Sequence, residues 1–445
     1  MSKEVRMRVY FVSLGCDKNL VDSEVMLGLL QEAGHTLAED VADADAAVVN
    51  TCCFIGDAKE ESINTILALA EHRSGGKLQR LVVTGCLAQR YAAEIRDQIP
   101  EVDAILGTAS YEDIVAALTA GEEYESLRPL TYLPSPKTPR AITAGNYVSY
   151  LKIAEGCDKC CTYCIIPKIR GPYRSFPMER LVAEAARLAA NGTRELILVA
   201  QETTRYGIDL YGEKKLAELV RRLAQIEEIS WIRILYCYPE EIDDSLIRVL
   251  AEEPKVCRYL DMPIQHASDE ILKRMGRQTT RADIEATVAR LRKEVPGIVL
   301  RTTLITGFPG ETEEDFAQMY DFVEKMHFER LGCFAYSKEE GTAAAKMKGQ
   351  IPKRVKERRK NAIMRLQREI CGRYGRSLVG RTVPVITDGF LPEDGVFTGR
   401  TAGDAPTVDG AVFFEGPSSL LSGDIVSVRI TGAGEYDLTG EVVNE

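Results

Sequence analysis

Four cysteines within eight residues, in the segment CDKCCTYC at 157–164, constrain this chain more than any other feature. Cys157, Cys161 and Cys164 have the spacing C-x3-C-x2-C, and they follow an apolar run that predicts a β-strand. Three thiolates on one short loop can hold three irons of a cubane iron–sulfur cluster, which leaves the fourth iron without a protein ligand. Because an open iron can bind a substrate, the loop predicts a catalytic centre.

The same loop allows two other interpretations. Each half of it contains a C-x2-C pair of the kind found in zinc sites, but a zinc ribbon needs a second pair roughly fifteen residues on, and none follows. Buried cysteines can also act as small hydrophobes. Four of them beside Asp158 and Lys159 would make a poor core segment, so the pattern favours the cluster.

The composition indicates a globular protein of two or three domains, with 445 residues, 45% hydrophobic and 28% charged. The first residues contain no long apolar run, and no stretch approaches the roughly 18 apolar residues of a membrane helix, so we expect neither a secretory signal nor a membrane partner. Twelve cysteines gathered in short motifs indicate metal binding or catalysis in a reducing cytoplasm. The net charge of −11 argues against a protein that simply coats nucleic acid.

Residues 6–120 alternate short apolar strands with amphipathic helices, which predicts an α/β domain with a parallel sheet. Three of the predicted strands end in a cysteine, namely Cys16, Cys52 and Cys86. The carboxyl ends of the strands form the ligand crevice of an open α/β sheet, so these distant cysteines can converge. One such cysteine alone would indicate packing, but three in register favour a second cluster.

Residues 121–142 are rich in proline with little periodicity, which predicts a linker. From 143 to 372 the alternation resumes, and it indicates a partial β/α barrel of six units that is open on one side. The cysteine loop follows the first strand, at the end where barrel active sites lie. The six predicted strands are YVSYLKI, ELILVA, WIRILY, YLDMPI, IVLRTTLI and RLGCFAY.

The last part of the chain changes character twice. Residues 346–376 contain twelve Lys/Arg against two Asp/Glu, and they predict a basic helix that either connects two domains or contacts ribosomal RNA. Residues 375–445 alternate short strands with Gly, Pro and Asp turns, a pattern typical of a small antiparallel β-barrel of about five strands.

Ordered motifs along nearly the whole chain resemble the methylthiotransferase family of radical S-adenosylmethionine (SAM) enzymes. They are SLGCDKNLVDSE, VVNTCCFI, VTGC, EGCDKCCTYCIIP, LDMPIQHAS and TLITGFPGET. The resemblance implies an N-terminal three-cysteine domain, a radical SAM core and a C-terminal TRAM barrel. It implies two 4Fe-4S clusters, with Cys16, Cys52 and Cys86 holding the auxiliary one.

The resemblance also implies the reaction. One SAM molecule yields a 5'-deoxyadenosyl radical that abstracts hydrogen, another supplies the methyl group, and the product carries a C–SCH3 bond. An electron donor and a sulfur donor follow as partners. A non-catalytic iron–sulfur scaffold that binds ribosomes is a rival from another class, and it predicts no cleavage of SAM.

One branch of the family modifies adenosines in transfer RNA, and another modifies the β-carbon of an aspartate in small-subunit ribosomal protein S-twelve. The segment SLGCDKNLVDSE resembles the ribosomal-protein branch. Residues 380–445 contain three Lys/Arg and eleven Asp/Glu, a net charge of −8. A barrel that holds transfer RNA is expected to be basic, whereas an acidic one suits a basic ribosomal protein, with Asp404, Asp409 and Asp424 as expected contacts. An acidic surface that only confers solubility is the alternative, and transfer RNA stays the alternative substrate.

Five residues are predicted SAM contacts, namely Tyr163 on the loop, Gln201 and Glu202 after the second core strand, and Gly307 and Gly310 in GFPGET. An aromatic core role for the tyrosine, and a tight strand-to-helix turn at the glycines, would explain those three positions as well.

Two cysteines depart from the family pattern, because Cys53 and Cys160 adjoin proposed ligands where other residues are expected. Either can substitute for its neighbour. Spacing favours Cys161 over Cys160, and the position at a strand end favours Cys52 over Cys53.

Overall fold

The computed structural model describes residues 6–76, 78–135, 138–143, 145 and 147–443. Over these residues the chain forms two units, each assembled from separate stretches of sequence. The first unit comprises Met1–Thr143, Ala154–Phe176 and Ser337–Ala345, and the second comprises Ala144–Ile153, Pro177–Tyr336 and Lys346–Glu445. Within the described ranges, no helix is long and apolar enough to span a membrane.

The first unit begins with alternating strands and α-helices. These are β1 (Arg8–Ser13), α1 (Asp17–Glu32), β2 (Thr36–Leu37), β3 (Ala46–Thr51), α2 (Gly56–Gly75), β4 (Arg80–Gly85), α3 (Cys86–Gln98), β5 (Ala104–Leu106), α4 (Ile114–Thr119) and β6 (Tyr124–Ser126). The strands form one sheet in the order β2-β1-β3-β4-β5-β6, and every neighbouring pair is parallel, which confirms the predicted parallel sheet. β3 and β4 are buried along their whole length because apolar cores cover both faces.

The proline-rich segment at 121–142 does more than connect. Its first residues include β6, which pairs in parallel with β5 and extends the sheet by one edge strand. The sequence missed this strand because three residues are too few to show a period.

The chain next forms β7 (Val148–Lys152) in the second unit, and then β8 (Ala154–Glu155), α5 (Ile166–Arg170) and β9 (Arg174–Ser175) in the first. β8 and β9 pair antiparallel, so the cysteine loop and α5 lie between two paired strands. This pairing holds the start and the end of the loop segment together.

The second unit continues the strand–helix alternation. Its further elements are α6 (Met178–Ala190), β10 (Glu195–Val199), α7 (Ile208–Tyr211), α8 (Leu216–Ala224), β11 (Trp231–Ile234), α9 (Asp244–Glu252), β12 (Val256–Asp261), α10 (Asp269–Arg274), α11 (Arg281–Glu294), β13 (Val299–Thr306), α12 (Glu313–Met326), β14 (Arg330–Ala335) and α13 (Lys353–Leu378). Six parallel strands pair in chain order from β7 to β14, with these two as the edges. The predicted partial barrel is therefore confirmed, and α13 is the predicted basic helix.

The end of the chain forms a closed barrel. Its strands are β15 (Thr382–Leu391), β16 (Val396–Thr401), β17 (Val412–Glu415), β18 (Ile425–Ala433) and β19 (Leu438–Val442). They close in the order β15-β16-β17-β19-β18, and every pair is antiparallel except β17 and β19, which are parallel. The prediction of an antiparallel barrel needs this correction, because strand direction cannot alternate all the way around a closed ring of five.

Buried ion pairs connect this barrel to the partial barrel inside the second unit. Arg400 donates to Glu195 at 2.7 Å, and Glu195 also accepts from Arg233 at 2.8 Å. Arg330 donates to Asp404 at 2.9 Å through its Nε. The side chains of Glu195 and Arg233 are fully buried, so these charges are compensated by each other and not by water.

These internal contacts contradict part of the expectation that the acidic residues of the barrel bind a basic protein. Asp404 is only 2% exposed and bonds to Arg330, and Asp409 accepts from the Tyr259 hydroxyl at 2.8 Å. The expectation that these two aspartates contact a basic protein was wrong, because their charges serve internal contacts. Asp424 is exposed and remains available.

Candidate functional site

The cysteines at the strand ends meet at one edge of the first sheet. Cys16 follows β1 at the N-cap position of α1, Cys52 follows β3, and Cys86 begins α3 directly after β4. β1, β3 and β4 are adjacent and parallel, so their carboxyl ends point to the same side. The sheet therefore brings together the three cysteines that the sequence predicted to converge.

Glycine precedes two of these cysteines and makes the turns possible. Gly15 and Gly85 have φ of +98° and +92°, in the left-handed region that L side chains rarely adopt. A Cβ at Gly15 would lie 3.3 Å from the Sγ of Cys52, and one at Gly85 would lie 2.6 Å from the carbonyl oxygen of Thr51. The close approach of the strand ends therefore depends on glycine, which has no side chain, at both positions.

Buried hydrogen bonds fix the positions of the strand ends. Asn19, which is fully buried, donates from Nδ2 to the carbonyl oxygens of Leu14 at 3.0 Å and Thr51 at 2.9 Å. Ser62 on α2 accepts from the Cys52 N–H at 3.0 Å and donates to its carbonyl at 2.9 Å. These bonds hold the cysteine backbone independently of any ligand.

Burial makes two of these thiols poor acids without a cation. It raises the pKa of Cys52 and of Cys86 above the ordinary thiol value. A bound metal deprotonates a coordinating thiol outright, so the chemistry of this donor set fits a metal cluster.

Cys53 is fully buried next to Cys86. It belongs to the apolar core on one face of the sheet, and its Sγ donates to the carbonyl oxygen of Cys86 at 3.2 Å. Burial raises its pKa to about 11. This environment supports Cys52 as the ligand and Cys53 as a core residue.

The loop cysteines lie in a tight backbone arrangement of their own. Gly156 has φ of +70°, and a Cβ there would lie 2.0 Å from the carbonyl oxygen of Pro172. Cys157 donates its N–H to the Gly171 carbonyl at 3.1 Å, and the Lys159 N–H donates to the Sγ of Cys157 at 3.4 Å. An N–H directed at sulfur stabilises a thiolate, as cluster ligation requires.

The other loop cysteines differ in exposure. Cys161 is buried, and its carbonyl oxygen accepts from the Cys164 N–H at 3.0 Å in a turn. Burial raises the pKa of Cys164 to about 12. Cys160 is exposed and adopts φ of +47°, which places it outside this turn and favours Cys161 as the ligand.

In the described part of the chain, no three His, Cys, Asp or Glu side chains are arranged to hold a single metal ion. A cubane cluster has another geometry, because each cysteine binds a different iron. Each set supplies three thiols, the number that a cubane with one open iron requires.

The predicted SAM contacts lie in both units. Tyr163 is half-buried on the loop in the first unit, whereas Gln201 and Glu202 follow β10 in the second, where Glu202 accepts from the Thr204 N–H at 3.1 Å. The two glycines lie in the turn after β13. A Cβ at Gly307 would lie 2.2 Å from the Lys356 side chain, and one at Gly310 would lie 2.6 Å from the Arg274 guanidinium. Protein packing therefore accounts for the close approach at both glycines.

Sequence reasoning missed Arg170, the last residue of α5. Its side chain is 2% exposed, and its guanidinium donates to Asp22 at 2.8 Å and lies 3.8 Å from the Sγ of Cys86. The pair with Asp22 leaves no local pattern, because 148 residues separate the partners. A partial signal for the turns did exist: Gly-Cys occurs at positions 15–16, 85–86 and 156–157 with a positive glycine φ. The same dipeptide also occurs at 332–333 inside β14, where the glycine φ is not positive, so the pattern alone does not mark a turn.

Two relatives named ribosomal protein uS12 methylthiotransferase RimO match nearly the whole chain. The protein from Lachnoclostridium phytofermentans is 59% identical over 437 residues, which cover 98% of this chain and 99% of the relative. The one from Clostridioides difficile is 47% identical over 442 residues, covering 99% of each. The chain belongs to the ribosomal protein uS12 methylthiotransferase family.

Family models divide this methylthiotransferase into three stretches. Residues 8–107 match the uncharacterized protein family UPF0004, residues 151–323 match the Radical SAM superfamily, and residues 379–443 match the TRAM domain. These matches confirm the predicted enzyme class and the predicted cofactor types, SAM and 4Fe-4S.

A solved structure resembles the methylthiotransferase in fold. It is the radical SAM methyltransferase TsrM from Kitasatospora setae, solved with cobalamin and a 4Fe-4S cluster bound. The TM-score is 0.52 at 17% sequence identity, and the match covers 74% of this chain and 75% of that one.

Proposed function

We propose that this protein is a radical SAM enzyme that adds a methylthio group to the β-carbon of an aspartate in ribosomal protein uS12. The observation that carries the proposal is that one unit contains both cysteine sets, the loop set and the strand-end set. A radical SAM enzyme without sulfur insertion needs only the loop set. The second set gives the reaction a place from which sulfur can be delivered.

The residues divide the work between the two sets. Cys157, Cys161 and Cys164 hold one 4Fe-4S cluster, and Cys16, Cys52 and Cys86 hold the other. When bound, the clusters and SAM supply radical and sulfur chemistry at a carbon that has no acidic proton for a general base to remove. The protein's own part is to fix the ligands, through the glycine turns and the buried hydrogen bonds of Asn19 and Ser62.

Two facts support uS12 as the substrate. The relatives that match nearly the whole chain are named for uS12. In addition, the terminal barrel still has exposed acidic side chains when Asp404 and Asp409, which make internal contacts, are left out. Glu393, Asp394 and Asp424 are exposed, and such a surface attracts a basic protein and repels phosphate. The proposed substrate also implies a cytoplasmic enzyme, with an electron donor and a sulfur donor as further partners.

Mass spectrometry tests substrate and reaction together. The purified, reconstituted enzyme is given SAM, a reductant and a sulfide source, with small ribosomal subunits or bulk transfer RNA as substrate. We expect a methylthio group on one aspartate of uS12 and none on transfer RNA. Methylthiolated adenosine with unchanged uS12 would assign the chain to the alternative reaction. Absence of 5'-deoxyadenosine under these conditions would instead support the non-catalytic scaffold.

The barrel charges provide a separate test. Replacing Glu393, Asp394 and Asp424 with Lys should weaken binding of uS12, and the loss should shrink with added salt because exposed charges are screened over about 10 Å at 0.1 M ionic strength. Iron content and SAM cleavage should not change. Asp404→Lys is the contrasting variant, because a lysine there faces Arg330 in a buried pair and should destabilise the fold. Undiminished uS12 binding by the triple variant would remove the barrel from substrate recognition.

A further inference from the structure

We propose that Arg170 tunes the cluster held by Cys16, Cys52 and Cys86, by placing a permanent positive charge and an N–H donor beside the Cys86 ligand. The inference rests on the proposed function, because it requires a cluster at the strand ends. Arg170 is a positioning residue in this role and does not touch the substrate.

The geometry of the guanidinium supports this role. Nη2 lies 3.8 Å from the Sγ of Cys86 and also donates to the Oδ1 of Asn19, the residue that holds two of the strand ends. Nη1 donates to Asp22 at 2.8 Å and to Glu155 at 3.4 Å. One nitrogen therefore faces the carboxylates, and the other faces the sulfur and a neutral amide.

A purely structural ion pair would not require this arrangement. Neutralising Asp22 and Glu155 uses Nη1 alone, and the contact of Nη2 with sulfur adds nothing to that pairing. The guanidinium stays protonated at any physiological pH. Because its side chain is 2% exposed, water screens the charge weakly, and the effect on a neighbouring sulfur is correspondingly strong.

The direction of the effect follows from charge. Reducing a cluster adds a negative charge, and a cation or hydrogen bond at a ligand sulfur stabilises that reduced state. Arg170 should therefore raise the reduction potential of the strand-end cluster. Asp22 opposes it, since its carboxylate offsets the guanidinium at 2.8 Å.

The two residues give tests of opposite sign. The parent protein carries Ala at Cys157, Cys161 and Cys164, so that the strand-end cluster is the one observed, and its potential is measured by redox titration with electron paramagnetic resonance. Arg170→Gln should shift the midpoint to a more negative value, and Asp22→Asn should shift it to a more positive one. Arg170→Lys keeps the charge but loses the two separate N–H groups of the guanidinium. Its midpoint potential should therefore lie between those of Arg170→Gln and the parent.

Arg80→Gln is the matched control. Arg80 is also a buried arginine of the first unit, but it donates to the carbonyl oxygens of Ala117 and Glu122 and not to sulfur. Its replacement should leave the potential unchanged.

Each outcome decides the inference. Equal potentials for the parent, Arg170→Gln and Asp22→Asn would overturn it, and so would shifts of the same sign in both variants. If Arg170→Gln fails to retain iron, the remaining midpoint potentials decide, and they should rise from Arg170→Lys through the parent to Asp22→Asn. Potentials equal to that of the parent in both variants would overturn the inference. A parent that binds no iron would overturn the strand-end cluster itself, and with it this inference.

Discussion

The two cysteine sets are assembled in opposite ways. The loop set lies within eight residues and is shaped by one segment, with Gly156 at its start. The strand-end set is drawn from positions 16, 52 and 86 and exists only because β1, β3 and β4 pair in register. A contiguous set can survive local damage elsewhere, whereas a dispersed set fails whenever the sheet edge is disturbed.

The largest effect should come from removing the loop set. Replacing Cys157, Cys161 and Cys164 with Ala should reduce iron from about eight to about four per chain after anaerobic reconstitution. SAM cleavage should disappear, because no cluster with an open iron remains on the loop. Iron analysis and detection of 5'-deoxyadenosine measure both. Continued SAM cleavage would locate the radical site elsewhere.

Removing the strand-end set should separate the two activities. Replacing Cys16, Cys52 and Cys86 with Ala should also leave about four irons per chain, but SAM cleavage should persist. The methylthio product should be lost, since the sulfur would have no iron to deliver it. Wild-type product yield from this variant would show that these cysteines are only structural.

Asn19→Ala should damage the dispersed set alone. It leaves the carbonyls of Leu14 and Thr51 without a buried donor, which costs about 1–3 kcal/mol of unfolding free energy. Iron at the strand ends should fall below full occupancy, while SAM cleavage per loop cluster stays unchanged. Asn361→Ala, at an exposed position on α13, is the control and should change neither quantity. Full iron and unchanged stability in Asn19→Ala would contradict the dependence on the sheet edge.

The smallest effects are expected at the two extra cysteines. Cys160→Ser changes an exposed side chain, and Cys53→Ser keeps a donor for the Cys86 carbonyl, so each should cost at most about 1 kcal/mol. Both variants should retain about eight irons. Loss of about four irons from either one would identify it as a ligand in place of its neighbour.

The sequence was informative where the signal was local or periodic. The loop spacing, the six core strands and the three strand-end cysteines follow from motifs and alternation, and the parallel sheet places the last of these at one edge. Long-range charge pairing was not predictable. Asp404 and Arg330 lie 74 residues apart, and a net charge cannot distinguish a surface aspartate from a buried one.

Two short features also could not be predicted from the sequence. β6 has too few residues to show alternation, and the parallel pair of β17 and β19 follows from ring closure, which no local pattern records. The position of Arg170 beside Cys86 depends on how α5 packs, and that is a property of tertiary structure alone.

The first unit draws on three separate stretches of chain, and this affects how the protein can be made. About 200 residues lie between Thr143 and Ala345, the ends of its first and last stretches. At roughly 5–20 residues per second, a ribosome needs about 10–40 s to synthesise them. For most of that time the strand-end cysteines, the loop and Arg170 have already been synthesised, and the last stretch, Ser337–Ala345, is still missing. A chain that ends at residue 143 lacks that stretch and also the one that contributes Arg170 and the loop. A fragment that stops at residue 143 would therefore be a poor substitute for the first unit in biochemical work.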